Sequence, residues 1–276
     1  MNPLELIRAS ARQSNSLSVV AHRPWPVPPG RWLMGQTWRD LLFAHWRVPE
    51  TALRALVPDV LELDTHEGEA FLGITPFRLT GLRLRGMLPV PPASEFPELN
   101  VRTYVTDGSK PGIFFLSLDA GSSFAVAAAR RFYRLPYFRA KMSARRRGSH
   151  ILFASMRVEP GSHPRAYRAR YRPAGAVFNA DPGTLEHFLA ERYCLYTWEA
   201  RRLYRAEIHH PPWLLQLAEA KIEENTMVPR PVALPDAPPL LHYAARQDVV
   251  VWPLEPVASA RDADRVAHAA AEVEDS

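Results

Sequence analysis

A chain of 276 residues with 47% hydrophobic and 10% aromatic content can bury a complete core within a single domain. Its net charge of +5 is spread among 29 interspersed carboxylates, so no basic stripe for nucleic acid forms. The single cysteine, Cys194, excludes an internal disulfide and a cysteine-rich zinc site, and no apolar run approaches the roughly 20 residues that span a bilayer. These features predict a cytoplasmic protein without membrane or nucleic-acid partners.

Residues 1–30 are polar and then read HRPWPVPPG, which predicts a flexible, proline-rich lead-in without regular elements. A single domain is expected over 31–257, and a flexible tail over 258–276, where ASARDADRVAHAAAEVEDS lacks an apolar stripe. Between these ends, alternation with period two predominates. DLLFAHWRV predicts a strand, and PETALRALVP a short helix with Pro49 in its first turn. VLELDTHEGEAFLGITPFRL predicts a hairpin around His66 to Gly68, and ELNVRTYVTDGSKPGIFFLSLDA another around Asp107-Gly108. SSFAVAAARRFY changes to helical spacing, with Ser122 or Ser123 as its cap.

YFRAKMSARRRGSHILFASMRV predicts a third hairpin, turning at Arg145 to Gly148. DPGTLEHFLAERY predicts the best helix, with Leu185, Phe188 and Leu189 on one side. LLQLAEAKIEEN fits a strand or a helix, and DVVVWPL a strand. The fold class expected is mainly β (α+β), an antiparallel sheet or barrel with a few short helices.

ELNVRTYV places Glu98, Asn100, Arg102 and Tyr104 on one strand face. In a barrel this face lines the lumen, while Leu99, Val101 and Val105 pack on helices outside. Arg102 would then grip a carboxylate, with Glu98 holding the guanidinium or moving protons; the alternative is an internal ion pair that fixes register. Asp119 suits a cap for the following helix, and Arg130 a cation at that helix's C-terminus or a second anion contact. His45, among aromatics, reads as a core residue. His209 and His210 point to opposite strand faces, so no metal site is expected. No phosphate loop, nucleophile elbow or Cys-His arrangement is present, and no cofactor is expected.

The segments LLFAHWRVP, ELNVRTYV, FFLSLDA, ARRFYRLPYFRAKM and HHPPWLLQ, in this order, resemble the uncharacterised bacterial family typified by YqjF, over most of residues 34–253. That family is placed in the acetoacetate decarboxylase-like superfamily, which implies an antiparallel β-barrel with a central cavity and a cavity glutamate near Glu98. The decarboxylases use a lysine pair directly after a proline, in a stretch resembling REFxGFPKK. Here RRFYRLPYF keeps the frame through Arg130, Phe132 and Pro136, but Tyr137 and Phe138 fill the lysine positions, and neither forms an imine. Lys141, four residues after Tyr137, is the substitute if it lies inside and dry; otherwise it is a solvated surface lysine.

The reading that results is a barrel binding a small anionic or carbonyl-bearing metabolite. Glu98 and Lys141 are its catalytic candidates, and Arg102, Tyr104, Asn100, Tyr137 and Arg130 surround the ligand. The alternative is a non-catalytic ligand-sensing or protein-interaction module.

Overall fold

Strands form where the apolar and polar residues alternate. In the computed structural model, which describes residues 3–90, 93–158, 161 and 164–257, one sheet contains β1 (Met34–Val48), β2 (Glu62–Leu63), β3 (Ala70–Leu84), β4 (Phe96–Thr106), β5 (Pro111–Ala120), β6 (Tyr137–Arg147), β7 (His150–Arg157), β8 (Ala166–Phe178), β9 (Cys194–Glu199), β10 (Arg202–His209), β11 (Leu215–Asn225) and β12 (Leu240–Pro256). The α-helices described are α1 (Pro3–Asn15), α2 (Glu50–Arg54), α3 (Ser123–Tyr133) and α4 (Leu185–Ala190). The fold is thus mostly β with few helices, and no described helix is long and apolar enough to cross a membrane. The tail expected at 258–276 lies outside the described residues.

Local chemistry sets most of these boundaries. The β4–β5 hairpin turns where Asp107 Oδ1 accepts from the amides of Ser109 and Lys110, each at 3.0 Å, and Gly108 takes the left-handed φ of 85° that a side chain would resist. Gly148 does the same for β6–β7, at φ 58°. Ser122 caps α3 by accepting from the Ala125 amide. The ambiguous LLQLAEAKIEEN is strand β11, paired with β8 and β12.

Several expectations need correction. The turn expected at His66 to Gly68 is present, closed by an antiparallel bridge between His66 and Glu69, but it does not pair β2 with β3; β3 already uses its edges on β1 and β4, and β2 pairs with β4 instead. The N-terminal lead-in carries helix α1. Its buried residues are Ala9 and Gln13, followed by Ser16 in the 3-10 turn just after it, a face of small and polar groups that hydrophobic periodicity does not reveal. Gln13 is bonded on both sides: its amide nitrogen donates to Thr37 Oγ1 and the Gly81 carbonyl, and its oxygen accepts from Arg83 Nε. The helix expected through Tyr193 stops at Ala190, because Arg192 turns back to the Phe188 carbonyl and pairs with Asp64. Finally, the sheet is mixed: β5 runs parallel to β6, as the β5–α3–β6 crossover requires, and also to β9.

The pairings close on themselves twice. β5, β6, β7, β8, β11, β12, β1, β3 and β4 return to β5, and β12, β10, β9, β5, β4, β3 and β1 return to β12. β1, β3 and β4 are therefore a wall common to two rings. One face carries Leu42, Ala44, Leu72, Ile74, Leu99 and Val101 into a core with Ile151, Phe153, Ala169 and Tyr171. The expected packing of Leu99 and Val101 on outside helices is replaced by this strand-to-strand core. The other face points into the second ring, and β4 is buried on both sides along nearly its whole length.

Candidate functional site

The second-ring face of the wall is polar at its centre and apolar around it. Along β4 it presents Glu98, Asn100, Arg102 and Tyr104, all at most 6% exposed. Register sets Phe77 opposite Glu98, Thr75 opposite Asn100 and Gly73 opposite Arg102 on β3, with His45 of β1 opposite Gly73. From β5, Ala120 faces Glu98, Leu118 faces Asn100, and Phe115 faces Arg102 beside a bulge. Phe43, Trp213, Ala190 and Tyr137 complete the apolar surround.

Glu98 and Arg102 do not pair. Four residues along a strand separate their Cα atoms by about 14 Å, too far for the two side chains to meet without distorting the strand. Glu98 instead hydrogen-bonds the Tyr137 hydroxyl, and burial raises its pKa to about 8, against the lowering influence of that bond. At neutral pH the carboxyl is mainly protonated, and its Oε2 has no partner. Tyr137 in turn is pushed well above the usual phenol range, first by burial and then by Glu98.

Arg102 lies over the Phe43 ring at 5.2 Å. Its Nη2 makes long bonds to the Leu189 carbonyl, 3.3 Å, and the Tyr104 hydroxyl, 3.4 Å, and its Nε has none. Among the described residues no carboxylate pairs with it. Other buried arginines differ: Arg23, Arg157 and Arg192 each have a carboxylate, and Arg83 has three neutral oxygen acceptors. An unpaired buried guanidinium is costly unless something else supplies the negative charge.

His45 belongs to the same group: it is the buried core residue expected, but only one of its ring nitrogens is satisfied. The Tyr104 hydroxyl sits 2.8 Å from the Leu189 carbonyl, which can only accept, so the phenol proton is spent there. The 2.6 Å contact to His45 Nε2 then has the imidazole donating, which leaves Nδ1 as a buried acceptor without a partner. Burial, with Arg102 and His242 nearby, holds His45 well below its usual pKa and therefore neutral. Gly73 makes this proximity possible: a Cβ there would stand 3.0 Å from His45 Cδ2 and 3.2 Å from Arg102 Cγ. Thr75 Oγ1, Asn100 Oδ1 and Trp213 Nε1 are further buried polar atoms without partners. Sequence alternation could have located Gly73 and Thr75 once β3 was paired with β4; Trp213 had no such signal.

Two candidates lie elsewhere. Lys141 is exposed on β6, opposite Met156, so the dry setting that an imine-forming lysine needs is not provided. Arg130 is exposed at the end of α3, where Nε and Nη2 both donate to the Tyr137 carbonyl, at 2.8 and 2.5 Å; it fastens the start of β6 and does not reach the inner face. Of the residues at the lysine-pair positions, Tyr137 turns inward to Glu98, while Phe138 lies 3.7 Å beneath the Arg157 guanidinium. Asp119 does not cap α3. It is fully buried and accepts from Arg157 Nε and Nη2, at 3.0 and 2.7 Å, and from Ser155.

The chain is 52% identical over 229 residues to the uncharacterized protein YqjF of Bacillus subtilis (strain 168), covering 83% of this chain and 94% of that protein. Among solved structures, the enduracididine biosynthesis enzyme MppR complexed with pyruvate matches with a TM-score of 0.57 at 11% identity, over 86% of this chain and 93% of that one. Acetoacetate decarboxylase from Legionella pneumophila subsp. pneumophila matches with a TM-score of 0.54 at 12% identity, over 86% and 93%. At such identities the likeness shows the fold, which is acetoacetate decarboxylase-like. The DUF2071 family, described as an uncharacterized conserved protein, matches residues 35–248, and with half the sequence shared with YqjF the chain belongs to that family.

Proposed function

We propose that the polar face of the second ring binds a small carboxylate-bearing metabolite. The observation that carries this reading is Arg102, a buried guanidinium with no carboxylate partner among the described residues. A planar carboxylate would take the guanidinium's free N–H groups, and the protonated Glu98 would donate to a carbonyl or second oxygen of the ligand, backed by Tyr137. Asn100 and Tyr104 line the same face. The similarly folded MppR, whose structure is described as a complex with pyruvate, supports a small oxo acid as the first compound to try. Any chemistry here is acid–base work by Glu98, in a lyase or hydrolase step without a cofactor; a barrel that senses the ligand without turnover is the other outcome.

Two measurements test this. In a thermal-shift screen of small carboxylic acids, at least one acid raises the Tm of the native chain and leaves a folded Arg102→Met variant unmoved. Methionine keeps most of the apolar stem while removing the charge. Equal stabilisation of both proteins puts the anion elsewhere. In the second, incubation with acetoacetate followed by borohydride leaves the protein mass unchanged, because Tyr137 and Phe138 cannot form an imine and Lys141 is exposed. A reduced adduct mapped to Lys141 overturns that expectation.

A further inference from the structure

Thr75 of β3 and Asn100 of β4 are directly opposed, so their side chains share the second-ring face with Cβ atoms about 5 Å apart. Both residues are buried, and neither Thr75 Oγ1 nor Asn100 Oδ1 has a hydrogen-bond partner. Thr75 is exceptional in this. The other buried threonines described all donate their hydroxyl protons: Thr37 to Asp248, Thr80 to the Thr37 carbonyl, Thr103 to the Phe71 carbonyl and Thr197 to the Arg134 carbonyl. Buried polar groups are satisfied in the great majority of cases, so two unsatisfied oxygens side by side need a reason.

The neighbouring strands offer this pair nothing. Pro76 follows Thr75 and has no amide proton for a ladder bond. The β1–β3 pairing runs to Ala44 with Ile74 and resumes only at Arg39 with Arg78, so residues 75–77 have no β1 partner. On the β5 side, Asn100 is opposed by the aliphatic Leu118. Along β4, Glu98 and Arg102 lie two residues either way, about 7 Å at their Cα atoms, and the Arg102 guanidinium leans further off toward Tyr104 and Leu189.

We infer that Thr75 and Asn100 form a hydroxyl subsite, and that the ligand is a hydroxy acid whose hydroxyl lies two or more carbons from its carboxylate. The inference rests on the reading of Arg102 as the carboxylate anchor. An alcohol is what the pair complements: it donates its one proton to Asn100 Oδ1, which can only accept, and takes the Thr75 proton on its own oxygen. A carbonyl leaves Asn100 Oδ1 unsatisfied, and an ammonium offers no acceptor to Thr75. A hydroxyl on the carbon next to the carboxylate is too close to it to serve both Asn100 and an Arg102 that leans away. Glu98, beyond the pair, keeps its proton for a further oxygen.

Four acids of one chain length test this: butyrate and its 2-, 3- and 4-hydroxy derivatives. Each is titrated calorimetrically, at millimolar concentrations, into the native chain and into Thr75→Val, Thr75→Ser, Asn100→Leu and Arg102→Met. On the native chain the better of the 3- and 4-hydroxy acids should bind about tenfold tighter than butyrate, the effect of one or two net hydrogen bonds, and 2-hydroxybutyrate no tighter than butyrate. Thr75→Val and Asn100→Leu should each bring that ratio near one without weakening butyrate, while Thr75→Ser keeps it. Without ligand, Thr75→Val should melt at the native temperature or above, because it removes an unsatisfied buried hydroxyl at nearly constant shape. A Tm lowered by several degrees means that the hydroxyl serves the fold, and overturns the subsite. A native ratio near one, or 2-hydroxybutyrate matching the other two, also overturns it. If butyrate binds through Arg102 with no hydroxyl preference, the anion reading stands alone. If Arg102→Met leaves every affinity unmoved while Thr75→Val still erases the preference, the subsite stands and the anion reading falls. Silence from all four acids overturns both.

Discussion

Asp119→Ala is expected to lower the unfolding free energy by about 3–5 kcal/mol, the usual cost of stranding one half of a buried ion pair. Arg157 places two N–H groups on the Asp119 carboxylate and is itself nearly buried, so its charge has no ready route to water. Ser155 loses its acceptor as well. Burial pushes the Asp119 carboxyl above its ordinary range even with Arg157 alongside, a sign that the site is poorly solvated. Denaturant titration should show a lower midpoint with an unchanged slope. The double variant Asp119→Leu with Arg157→Leu should recover part of the loss, since it removes both charges. A single-variant loss below about 1 kcal/mol would mean that Arg157 escapes along the face of Phe138 to solvent.

Glu98→Gln should change how stability depends on pH more than any other single substitution at the inner face. The carboxyl of an unfolded chain releases its proton near 4.5, whereas in the folded protein it holds the proton until about 8. Between those values the folded state binds the extra proton, so stability falls as pH rises, by up to about 1.4 kcal/mol per unit for a whole proton. Above about 8 the contribution is flat, and below 4.5 it vanishes. His45, His209 and His210 are held below their usual range by burial and act in the opposite sense, costing stability as pH falls. The native-minus-variant difference isolates Glu98. The native-minus-variant unfolding free energy measured from pH 5 to 8 should shift in the variant's favour as pH rises, and parallel curves would place an ionised Glu98 in the folded state.

How much of this was legible depends on which physical signal each element carries. Alternation marked β1 and β4 to β7, and the Asp107-Gly108 and Gly148 turns marked two hairpins, because strand facing and left-handed turns are written in adjacent residues. Helix α1 was hidden because its inward face is Ala9 and Gln13, with Gln13 held by hydrogen bonds to Thr37, Gly81 and Arg83 that are distant in sequence. The parallel pairing of β5 with β6 was available in the strand-helix-strand order, which short connections between antiparallel strands do not need. At the site, the face bearing Glu98 and Arg102 followed from period two. Their separation was available from the same rule, since four residues of strand are a long span for an ion pair, and the expected Glu98–Arg102 contact overlooked it. His45 joined them only through β3, a relation that no local window contains.

The wall common to both rings has a consequence for folding. In an ordinary amphipathic strand, a one-residue slip exposes apolar groups to water and buries polar ones. In β4 a slip would exchange two interiors: Glu98, Asn100 and Arg102 would enter a core lined by Ile151, Phe153 and Tyr171, and Leu99 and Val101 would take the places beside His45 and Tyr137. Neither side offers solvent as a refuge, so the misregistered chain is penalised twice. The register shift between Val101 and Arg102 leaves Leu116 of β5 without a partner on β4 and sets Phe115 opposite Arg102.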